Sequence, residues 1–130
     1  MRDNKDNIIY KKSFEFAVKI VRLYKSTSGN KSDDVLFRQL LRSGTSIVAN
    51  IREGLEGQSK KDFISKLSIA LKEACETEYW IELLVETGYI GKDTGELLLK
   101  DVSEIIKILN SILKTFRAKL NIDNNSEELP

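Results

Sequence analysis

The side chains able to do chemistry in this 130-residue chain are few, and the most informative one is missing: there is no histidine. Without it the usual general base, the commonest zinc ligand and the Glu-x-x-His pairs of di-iron bundles cannot be assembled. Carboxylate, lysine and thiol chemistry remain. Glu73 and Glu76 stand three residues apart, close enough to share one side of a helical turn, but with no imidazole beside them they do not indicate a metal. No metal and no cofactor is expected. Cys75, the single cysteine, excludes an intramolecular disulfide and suits a reducing compartment. Its place near the Ile64 and Leu71 stripe reads as a small buried filler, not a reactive thiol. The run Gly54-Leu55-Glu56-Gly57-Gln58-Ser59-Lys60 lacks Walker spacing and follows no strand, so a helix end explains its two glycines better than a phosphate loop. The chain therefore reads as a non-enzymatic protein; a hydrolase built on Glu53 or Glu73 would need a pocket that the apolar spacing does not suggest.

Charge offers more. The total is only +1, but Lys60, Lys61, Lys66 and Lys72 face one acid, Asp62, over the first half of a helix. Glu73, Glu76, Glu78, Glu82 and Glu86 fill its second half with no base. That order opposes the helix macrodipole, which favours acids at the start and bases at the end by about 0.3–1 kcal/mol each. Local helix stability did not select it. In an antiparallel bundle the start of this helix lies beside the start of the first and the ends of the second and fourth. Lys11, Lys12, Arg52, Lys60, Lys61, Lys66, Lys114, Arg117 and Lys119 would then gather at one pole, and Glu82, Glu86, Asp93 and Glu96 at the other. A lysine and arginine pole suits a phosphate backbone, RNA or DNA, held weakly by sequence and strongly by salt. A solvated surface is the bland account.

Four helices must position these groups. Tyr10, Phe14, Ala17, Val21 and Tyr24 recur at steps of four and three, the period of one helical face. A turn follows at Ser26–Ser32, with Ser32 or Asp33 as cap. Leu36, Leu40, Ile47 and Ile51 mark a second helix, flanked by Phe37, Leu41, Val48 and Leu55 and ended by Gly54 and Gly57. Ser59 to Asp62 forms a capping-box variant. Behind it Phe63, Leu67, Ala70, Ala74, Thr77, Ile81 and Leu84 hold a heptad rhythm until Gly88, so that Leu40–Leu84 is one helical hairpin. After the start signal Asp93–Glu96, the last stripe is Leu98, Val102, Ile105, Leu109, Ile112 and Phe116. With short connections this predicts an all-α, up-down-up-down antiparallel four-helix bundle over residues 1–120. Residues 121–130 are polar and aperiodic, expected to form a disordered tail. No apolar run approaches the roughly 20 residues of a bilayer crossing, and the first 13 residues do not resemble a signal peptide. No membrane association and a cytoplasmic location are expected.

The chain carries more apolar stripe than one bundle needs. Helix 1 has a second row (Ile9, Phe16, Ile20, Leu23) and helix 4 adds Leu99, Ile106 and Leu113. Ile69, Glu73, Glu76, Trp80 and Leu83 form a row about 100° away from the core stripe of helix 3. This row is read as a subunit interface anchored by Trp80, hence a homo-oligomer. A protein–protein adaptor that uses this row and the acidic pole is the alternative. On helix 2, Arg42, Ser46, Asn50 and Glu53 make a polar row, either solvated or networked with a neighbouring helix or subunit.

The stretch Arg42-Ser43-Gly44-Thr45-Ser46-Ile47-Val48-Ala49-Asn50-Ile51-Arg52-Glu53-Gly54, then Ser59–Phe63, then Ala70, Glu73, Ala74 and Glu76, resembles the bacterial four-helix bundle proteins encoded in intervening sequences of 23S ribosomal RNA genes. The accessory variability determinant proteins of diversity-generating retroelements are similar relatives. The resemblance covers about residues 8 to 120. It implies a small cytoplasmic bacterial protein assembled as a five-fold ring of bundles, a homopentamer. For the retroelement relatives it implies a basic surface that binds nucleic acid and a reverse transcriptase. Arg42, Ser46, Asn50, Glu53 and Gly54 carry the family signature, with no catalytic duty implied.

Overall fold

Local signals start and stop each helix. Asn7 accepts a hydrogen bond from the Tyr10 amide at 3.0 Å and opens α1 (Ile8–Ser26). The second helix, α2, spans Asp34–Leu55. Ser59 caps α3 (Lys60–Glu86) by accepting from the Asp62 amide at 3.1 Å, as the capping-box variant requires. Gly88, with φ 84°, ends α3: the Tyr89 and Gly88 amides donate back to the carbonyls of Leu84 (2.9 Å) and Val85 (3.1 Å), a Schellman turn that only glycine enters without strain. The fourth helix, α4, spans Lys92–Glu128. This computed structural model describes residues 7–27 and 34–128, with Asp34 and 123–128 by backbone alone. The expected turn and caps at 28–33 lie outside the described residues, as do residues 1–6 and 129–130.

The helices run alternately up and down. Lys12 pairs with Glu104 and Lys19 with Asp101, so partners on α4 fall in number as those on α1 rise. Ser43 meets Thr77 and Gly54 meets Leu67 in the same antiparallel sense. Phe63 packs on Phe116 and Val85 on Gly95. Each helix packs on the next one in sequence, and α4 closes back on α1. Between them Phe16, Ile20, Leu40, Ile47, Leu67, Ile81, Leu109 and Leu113 are sealed from solvent. The expected α3 stripe is buried from Leu67 through Leu84, and Ala70 and Ala74 leave room for a neighbouring backbone.

Four expectations are corrected. On α1 the inward row is Ile9, Ser13, Phe16 and Ile20, with Ala17 at its edge, whereas Phe14 is 51% and Val21 38% exposed. Sequence spacing ranked this row second, as the surplus stripe Ile9, Phe16, Ile20 and Leu23, because Ser13 interrupts it. The buried Ser13 hydroxyl donates to the Tyr10 carbonyl at 3.0 Å, which removes the cost of its burial. On α4, Leu113 takes the core place assigned to Ile112, which is half-buried. Gly54 does not terminate α2: neither it nor Gly57 has positive φ, and a Cβ on Gly54 would lie 2.7 Å from Leu67 Cδ1. It is a packing glycine. Lastly, α4 does not stop at Leu120 but continues helically to Glu128. No proline or glycine lies between Gly95 and Pro130, and the Asn and Asp residues of the tail cost a helix only about 0.7 kcal/mol apiece.

Candidate nucleic-acid interface

The start of α3 and the last turns of α4 are locked together. The Phe63 and Phe116 rings pack with centroids 4.6 Å apart, and the Arg117 Nη2 donates to Ser68 Oγ at 2.9 Å. Lys119 Nζ lies 5.4 Å from the Phe116 centroid, a cation over an aromatic face. Lys60 and Lys61 stand exposed on the first turn of α3, and Lys114 is exposed on α4. Gly54, Leu55 and Gly57 of the α2–α3 turn line one shallow depression with Ser59, Lys60, Phe63 and Phe116. Two segments some fifty residues apart thus bring their cations to one end of the bundle.

Three of the cations expected there are held in ion pairs with carboxylates. Lys12 is held by Glu104 at 3.4 Å, on the α1–α4 seam. Glu104 precedes Lys114 by ten residues, about 15 Å of helix at 1.5 Å per residue, so Lys11 and Lys12 stand back from the tip. Lys66 is paired with Glu53 at 3.0 Å and Arg52 with Glu56 at 3.5 Å. Lys60, Lys61, Lys114, Arg117 and Lys119 form the cationic end. At the opposite end the α3–α4 turn collects Glu82, Glu86, Asp93 and Glu96, all exposed.

The polar rows of α2 and α3 meet along one seam. Arg42 Nη1 reaches Glu73 at 3.0 Å and its Nη2 bonds Glu76, so one guanidinium spans both carboxylates. Burial works against the Arg42 charge, but Glu76 and Glu73 outweigh it, and its pKa lies above the ordinary arginine value. Beneath this clamp Thr77 Oγ1 lies 2.9 Å from Ser43 Oγ and 2.7 Å from the Glu73 carbonyl, both hydroxyls being sealed from solvent. Ser46 and Asn50 turn back on their own helix, to the carbonyls of Arg42 (2.6 Å) and Ser46 (2.8 Å). The network anticipated for this row therefore crosses between helices at Arg42 and Glu53 alone among its members.

The row read as a subunit interface is divided between contacts within the chain and exposed positions. Glu73 and Glu76 are engaged within the chain, Trp80 and Leu83 are half-buried, and Ile69 is exposed. The Trp80 indole packs against the core and meets the Tyr79 ring edge-on at 4.9 Å. Cys75 is exposed, not a buried filler: it lies one residue beyond the core position Ala74, which turns it outward by about 100°. Partial burial and the Glu78 carboxylate together raise its thiol pKa above the ordinary value. Among the described residues no three His, Cys, Asp or Glu side chains converge as metal ligands, and no helix is long and apolar enough to cross a membrane.

Residues 5–111 match the family described as 23S rRNA-intervening sequence protein. The chain belongs to that family. Among solved structures it is similar to a protein of unknown function from the S23 ribosomal protein family of Bacteroides thetaiotaomicron VPI-5482. The two are 54% identical with a TM-score of 0.79, over 82% of this chain and 99% of that one. No curated protein matches. The stretch Arg42–Gly54, inside the matched residues, runs along the seam just described: Arg42 holds Glu73 and Glu76, Glu53 holds Lys66, and Gly54 admits Leu67. Arg42, Glu53 and Gly54 thus fasten α2 to α3, whereas Ser46 and Asn50 bond within α2.

Proposed function

We propose that this protein is a non-enzymatic, homo-oligomeric helical bundle that holds a nucleic-acid backbone against its cationic end. One observation carries the reading: the Phe63–Phe116 contact brings Lys60 and Lys61 beside Lys114, Arg117 and Lys119. Lysine and arginine clusters attract phosphates through charge and counterion release, with no need to read bases. Only Phe63 and Phe116 are aromatic there, and both rings are spent on each other, so base stacking contributes little. Binding is then weakly sequence-specific and falls steeply with salt. Assembly into a ring would present several such ends on one face and raise the avidity. The membership of a family named for 23S rRNA intervening sequences is consistent with a nucleic-acid context.

A protein adaptor is the second reading, favoured by Tyr89 and Leu97, which stand exposed beside the acidic end. The triple variant K60E/K61E/K114E separates the two. Fluorescence anisotropy with labelled RNA and duplex DNA at low salt is expected to show binding by the native protein. The slope of log affinity against log salt should fall by roughly 2–3 in the variant, at about 0.9 per duplex phosphate contact. Absence of binding by the native protein at low salt, or an unchanged slope in the variant, refutes the nucleic-acid reading.

A further inference from the structure

Besides the Trp80 row, α1 carries a cluster of exposed apolar side chains of its own. Phe14, Val18 and Val21, with Ala17 between them and Val48 of α2 beside them, line an open groove along the α1–α2 face. Tyr10 extends it, its ring 6.1 Å from that of Phe14. Phe14 is half-exposed and Val21 more than a third exposed, at positions where a free bundle could have carried lysine or glutamate at no cost to its core. The polar residues bordering the groove are mostly basic: Lys11, Arg22 and Lys25 against Glu15.

Elsewhere the same chain carries the complementary surface. Cys75, Tyr79, Glu82 and Glu86 follow one another at steps of four, three and four on α3, and all four are exposed. Tyr79, 53% exposed, stands at the middle of this stripe and is braced edge-on by Trp80. A fixed aromatic among carboxylates is the kind of anchor that an apolar groove with a basic border accepts. We propose that the α1–α2 groove of one copy receives the Tyr79 ridge of α3 from a second copy. The two patches differ and lie on different helices, so the contact is head-to-tail and propagates around a ring or along a filament; it does not close a two-fold dimer. The inference rests on the homo-oligomeric part of the proposed function and gives it a location.

Light scattering on the full-length protein at micromolar concentration, combined with two sets of variants, tests this. The native protein is expected to exceed its monomer mass. Arg22→Glu and Glu82→Lys should each lower the assembled mass, and the two together should restore it. Both side chains are exposed, and far-UV circular dichroism verifies the fold. Independently, Val18→Cys places a thiol in the groove opposite the native Cys75. Mild oxidation should convert this variant to a ladder extending past the covalent dimer, and V18C/C75S should give no ladder. A monomeric native protein overturns both this contact and the oligomeric reading. A native oligomer whose mass ignores both charge reversals, or which yields no ladder, overturns this contact alone.

Discussion

Replacing Arg42 by methionine keeps most of the aliphatic stem and removes the guanidinium that holds Glu73 and Glu76. Arg42 is about half-exposed at its side chain, Glu76 more than a third, but Glu73 only 16%. An exposed ion pair contributes about 0.2–1 kcal/mol, whereas a hydrogen bond to a charged group shielded from water contributes about 1.5–3 kcal/mol. The Glu76 arm belongs to the first class and the Glu73 arm lies between the two. Loss of the cation also leaves two carboxylates one turn apart, which costs a few tenths of a kcal/mol more. R42M is therefore expected to lose about 1–2 kcal/mol, which lowers the melting temperature by roughly 4–7 °C in a domain of this size. Urea unfolding followed by far-UV circular dichroism measures it. E73Q/E76Q in the R42M background should recover part of the loss, because the neutral amides no longer repel. A loss for R42M within about 0.3 kcal/mol of zero, or strict additivity in the three-residue cycle, refutes the clamp.

The glycines make a second series. Gly54→Ala gains about 1 kcal/mol of helix propensity but drives a methyl to 2.7 Å from the buried Leu67 and 3.2 Å from Lys66 Cβ. At about 1–3 kcal/mol for overpacking the balance should be a net loss, read as an earlier urea midpoint. Gly91, whose carbonyl accepts from the Gly95 amide at 2.9 Å, is the N-cap of α4; a Cβ there meets nothing within 4 Å, so Gly91→Ala should lose only the capping preference of glycine over alanine, at most about 1 kcal/mol in the same assay. Cys75 supplies a pH-dependent readout. Its raised pKa keeps the thiol protonated at neutral pH, so alkylation by iodoacetamide should be slower than for a free thiol and should accelerate as pH rises past the ordinary thiol value. Glu78→Gln removes a negative neighbour, lowers that pKa and should speed the reaction at fixed pH; an unchanged or slower rate contradicts the assignment.

Much of the fold was legible in the chain. The α2–α3 hairpin, the Ser59 cap and the stop at Gly88 are local events, encoded within a few residues of where they act, and each lies where spacing and residue type place it. The α3 core stripe was equally plain, because one row of Leu, Ala and Ile faces a charged opposite side. On α1 two apolar rows compete, and periodicity assigns both the same period. The choice between them depends on Gly44, whose missing Cβ lets Ile20 approach to within van der Waals contact. The candidate interface was partly legible. Lys60, Lys61 and Lys114 stand out in the sequence, and Arg52–Glu56 is a local i,i+4 pair, but the ion pairs that occupy Lys12 and Lys66 depend on residues of another helix that the fold brings close.

Helix count, hairpin order and the charge asymmetry of α3 were determined by the sequence alone, since capping, periodicity and composition act over one or two turns. The tertiary structure decided the rotation of α1 about its axis, the conversion of Gly54 from a helix stop to a point of close packing, and the capture of Glu73 and Glu76 by Arg42. It also decided which lysines stand at the end of the bundle and which are held in ion pairs along its seams. The physical reason is the same for each: a helix is stabilised by its own neighbours in sequence, but which side it turns inward is set by the shapes and charges of helices that those neighbours do not encode.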